Sequence, residues 1–103
     1  MHAYSEDQYE AALRGYALLQ GGAADAEPSG LRHTTWVRNR LATADRAGLT
    51  WTDLSLEDRI SIVAMAIGYF VPHTANENLH RVTYGYEMLC RTGTLTAPLK
   101  MAA

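Results

Sequence analysis

Hydrophobic positions recur at helical spacing in four stretches of the chain, and each stretch opens or closes on residues suited to a helix end. In the first, Ser5 and Gln8 have the spacing of a capping box, Tyr9, Ala12, Leu13, Tyr16 and Leu19 fall on one face, and Gly21-Gly22 ends the run. Glu6, Asp7 and Glu10 occupy its early turns, where the positive end of the helix dipole favours acids. The small, acidic stretch GGAADAEPS then reads as a surface connection.

A second helix is predicted over 30–47, with Leu31, Thr34, Val37, Leu41 and Ala44 inward and Gly48 as the left-handed residue just past its end. The third is predicted to start at Ser55, with Asp58 three residues on as an approximate capping-box partner. Its body, Ile60 to Val71, is apolar nearly all round and so reads as the central, buried helix, ended by Pro72. The fourth opens on Thr74 and Glu77, carries Leu79, Val82, Tyr86 and Leu89 at helical spacing, and runs to Gly93. Residues 94–103 lack periodicity and read as a loosely held tail. Gly15, Gly68 and Gly85 fall inside predicted helices, where each costs about 1 kcal/mol relative to alanine; Gly68, in the apolar helix, is read as a point of close helix approach. No strand pairs or repeats compete, so the expectation is an all-α fold, a compact single-domain bundle of four or five helices covering residues 1–103.

Composition changes little in this picture but removes several function classes. The chain of 103 residues is 48% hydrophobic and 19% charged, which suits a globular domain and argues against a disordered one. No run approaches the roughly 20 apolar residues of a membrane span, so no membrane role is expected. One cysteine, Cys90, has no intrachain disulfide partner, and the N-terminal MHAYSEDQYE lacks the basic start and apolar core of a secretion signal. Both predict a cytoplasmic protein. The net charge of −2 hides a division: residues 1–30 carry five acids and one base, residues 31–46 four arginines and one acid, and the remainder four bases and five acids. Basic character is therefore local, which disfavours general attraction to nucleic acid.

The spacing Ala-x-x-Ala-Gly-Leu-Thr-x-x-x-Leu-Ser over residues 44–55 resembles the helix-turn-helix of phage-type repressors. That resemblance implies DNA contacts by Trp51, Thr52, Asp53, Leu56, Glu57 and Asp58 in the major groove. Three of these are acids, which repel phosphates where lysine or arginine should neutralise them. Thr43 and Glu57 also stand where the family carries core residues. A glycine helix end followed by a serine cap accounts for Gly48 and Ser55 without DNA, so the stretch is expected to join two helices.

The remaining chemistry is sparse. Arg32, Trp36 and Arg40 recur at i, i+4 and i+8 of the predicted second helix, with Arg38 and Arg46 beside them. Arginine and tryptophan are the residues that most often anchor protein contacts, so Arg32, Trp36, Arg38 and Arg40, extended by Trp51, form the candidate partner-binding surface. His73, Glu77 and His80 have a spacing compatible with metal, but His73 precedes the cap and Glu77 has a capping role; no metal or other cofactor is expected. Cys90 with His80 or His73 would be the minimal set for thiol catalysis, yet Cys90 lies at the edge of an inward face and free cysteine is commonly buried. No phosphate loop or nucleophile elbow is present. The function expected is a small non-enzymatic protein-binding module, an adaptor, subunit or inhibitor, of a size that would also suit a phage or mobile-element protein. The alternatives are a degenerate helix-turn-helix regulator and a small enzyme using Cys90 and His80. Self-association through helices three and four would compete with the main reading without excluding it.

Overall fold

The computed structural model describes residues 4–68 and 74–93. Within them the chain forms four α-helices and no strand: α1 Glu6–Leu19, α2 Thr35–Arg46, α3 Leu56–Ala66 and α4 Ala75–Arg91. Short 3-10 turns, Leu31–His33 and Trp51–Asp53, precede α2 and α3. An all-α fold is thus what the periodicity foretold.

Local cap chemistry sets most helix starts. Ser5 Oγ accepts from the Gln8 amide at 3.3 Å while the Ser5 amide donates to Gln8 Oε1 at 2.8 Å, the reciprocal box read in the sequence. Ser55 Oγ accepts from the Asp58 amide at 3.1 Å and Thr74 Oγ1 from the Glu77 amide at 3.4 Å. The end of α2 is a complete Schellman motif: with Gly48 at φ 73°, its amide donates to the Asp45 carbonyl at 3.1 Å and the Leu49 amide to the Ala44 carbonyl at 3.0 Å.

Two boundaries differ from expectation. The second helix does not run unbroken from residue 30: Gly30 is left-handed at φ 74°, a 3-10 turn follows, and Thr34 is extended at φ −109°, ψ 151°. Thr34 Oγ1 instead caps α2 by accepting from the Val37 amide at 3.2 Å. A threonine hydroxyl four residues into an apolar period thus overrode the period. The third helix ends at Ala66, because Gly68 turns the backbone left-handed at φ 82°, so Gly68 is a helix terminator and not a close-approach site. Residues 69–71 of the expected helix, and the tail over 94–103, lie outside the described residues.

α3 holds the centre. It packs most extensively on α4, and also against α1, α2 and the first 3-10 turn. Ile60, Ile62, Val63 and Ala64 are buried in one cluster with Ala12, Leu13 and Tyr16 of α1, Leu31, Val37 and Leu41 around α2, Trp51, and Leu79, Val82 and Tyr86 of α4. Across α1 and α4, Tyr16 and Tyr86 pack with ring centroids 6.3 Å apart, and Tyr86 Oη donates to the Gly15 carbonyl at 3.3 Å. Among the described residues no helix is long and apolar enough to cross a membrane.

Candidate functional site

The arginine and tryptophan set foreseen as one surface is divided into three environments. The break at Thr34 removes Arg32 from the helical face of Trp36 and Arg40. From the 3-10 turn, Arg32 reaches two carboxylates at once: Nε and Nη2 each meet Glu27 at 2.8 Å, while Nη1 and Nη2 meet Asp45 at 2.6 and 3.0 Å. Two bidentate pairs occupy the planar fork of one guanidinium, tying the connecting segment and the end of α2 to the 3-10 turn. Hydrogen bonding to Glu27 and then Asp45 raises the Arg32 guanidinium far above its ordinary value, and the same contact holds Asp45 below the usual carboxylate range. Arg32 is a clamp with its donors committed.

Arg38 belongs to that side of α2. Its Nη1 donates to the Arg32 carbonyl at 3.2 Å and its Nη2 to Thr35 Oγ1 at 3.1 Å. Residues two apart on an α-helix point about 200° apart around the axis, so Arg38 and Trp36 occupy opposite flanks. Trp36 shares its flank with Arg40, Thr43 and Ala47 at helical steps of three and four. Among the described residues it is the most exposed of the large hydrophobics, at 68%. Arg40 Nη2 meets Asp58 Oδ1 at 2.8 Å, joining α2 to the first turn of α3 and turning Asp58 away from the reciprocal capping role expected of it. Arg46, whose Nη2 donates to Thr43 Oγ1 at 3.3 Å, leans toward the same flank with no carboxylate partner among the described residues.

Trp51 is a correction to the expected surface. It is 8% exposed and part of the core, because the 3-10 turn Trp51–Asp53 aims its indole inward. Asp53 stabilises that turn: its Oδ2 accepts from the Thr50 amide at 2.7 Å and the Thr50 hydroxyl at 2.8 Å, which lowers the Asp53 carboxyl below its ordinary range. The segment between α2 and α3 is thus nine residues with its own turn, where a helix-turn-helix uses three or four. Asp53 and Asp58 are both engaged within the chain.

The other candidate groups are spread apart. Cys90 and His80 lie on the same continuous helix ten residues apart, about 15 Å along the axis at 1.5 Å per residue, beyond any thiol–imidazole contact. Cys90 is half-buried against the core. His73 lies outside the described residues, and among those described no cluster of three or more His, Cys, Asp or Glu could hold a metal ion. A charge relay missed in the sequence links α1 to its neighbours, with Arg59 Nη2 at 3.4 Å and Arg14 Nε at 3.8 Å from Glu10, and Arg14 Nη2 at 3.3 Å from Asp25. Only the i, i+4 pair in that relay has a sequence signal. No protein-family model, curated protein or solved structure matches this chain.

Proposed function

We propose that the chain is a non-enzymatic, cytoplasmic protein-binding module, acting as an adaptor, subunit or inhibitor, and that it docks through the Trp36 flank of α2. The observation that carries this reading is Trp36 itself, a tryptophan 68% exposed on a capped helix that is packed against the core on its other side. An indole offers a large contact area with only two side-chain torsions to fix on binding, and tryptophan is enriched among residues that dominate binding energy. Arg40 and Arg46 border it, so the partner is a protein of acidic or polar character whose approach these charges steer.

The test is the affinity of a partner recovered by cross-linking in the native host, measured against the wild-type chain, Trp36→Ala and Arg46→Glu. Helicity and melting are checked first. Loss of a central tryptophan contact should weaken binding by about 30-fold or more, equivalent to about 2 kcal/mol. Arg46→Glu should lower the association rate more than it raises the dissociation rate. Full affinity in folded Trp36→Ala would place the docking surface elsewhere.

A further inference from the structure

We draw no further inference here: the strongest candidate, the exposed line of His80, Tyr84, Glu87 and Arg91 along the outward side of α4, is a solvent-facing helix surface, and nothing in the structure shows what covers it.

Discussion

The two tryptophans provide the sharpest test of the fold, because sequence places both on one candidate surface and the structure parts them. Trp51 is 8% exposed. A tryptophan removes up to about 250 Å² from water, which at about 25 cal/mol per Å² corresponds to roughly 5 kcal/mol. Alanine recovers part of that, leaving an expected cost of about 3–5 kcal/mol for Trp51→Ala, the range seen when large aromatics are deleted from cores. Against a total stability of about 5–15 kcal/mol, this is a large fraction. Trp36 is 68% exposed, so only about a third of its area is at stake. Alanine's better helix propensity offsets part of the roughly 1–2 kcal/mol involved, and Trp36→Ala should cost less than about 1 kcal/mol. Thermal melts followed by circular dichroism should then show a small shift for Trp36→Ala and a fall of roughly 12 °C or more for Trp51→Ala. Fluorescence gives an independent reading: the Trp36→Ala protein retains a blue-shifted, poorly quenched indole, and the Trp51→Ala protein a red-shifted, readily quenched one. Equal destabilisation by the two substitutions, or a larger loss at Trp36, would refute the assignment of Trp51 to the core.

The Arg32 clamp predicts that Arg32→Ala lowers the midpoint of urea unfolding, because two solvent-screened bidentate pairs are lost together. Because the folded-state Asp45 carboxyl is depressed, its contribution is present above the ordinary carboxylate value near 4 and is lost as pH falls through the depressed one; the difference between wild type and Arg32→Ala should therefore shrink below about pH 4. Burial raises the phenols of Tyr16 and Tyr86. Their stabilisation is complete below the ordinary tyrosine value near 10 and is lost as pH rises above it, so tyrosinate absorbance for these two should appear together with loss of helicity. Separate, earlier ionisation of either ring in the folded protein would contradict their burial.

How much of the molecule can be read from the chain depends on the distance over which each feature is made. The caps at Ser5, Ser55 and Thr74 join atoms three residues apart, and the Gly48 terminus depends on one residue's freedom at positive φ. These are local and legible. The break before α2 is less so, although its signal is present: Thr34 is a competent cap, and it competes with a period that runs on through it in the sequence only because Leu31 and Thr34 keep helical spacing. Gly68 was misread for a similar reason, since an apolar run carries no mark of where burial stops being helical.

The candidate site was legible only as a set of residue types. Arginine and tryptophan cluster over 32–51, but which of them face water depends on partners from elsewhere in the chain: Glu27 and Asp45 for Arg32, Asp58 for Arg40, and the packed faces of the helices for Trp51. By itself the sequence determined an all-α chain, three of its four helix starts and the acids and glycines that bound them, because periodicity and capping act within a turn or two of backbone. Only the tertiary structure decided that Trp51 is core, Arg32 a clamp and Trp36 exposed. Burial and ion pairing are properties of the space between elements, and that space exists only once α3 has been surrounded by α1, α2 and α4.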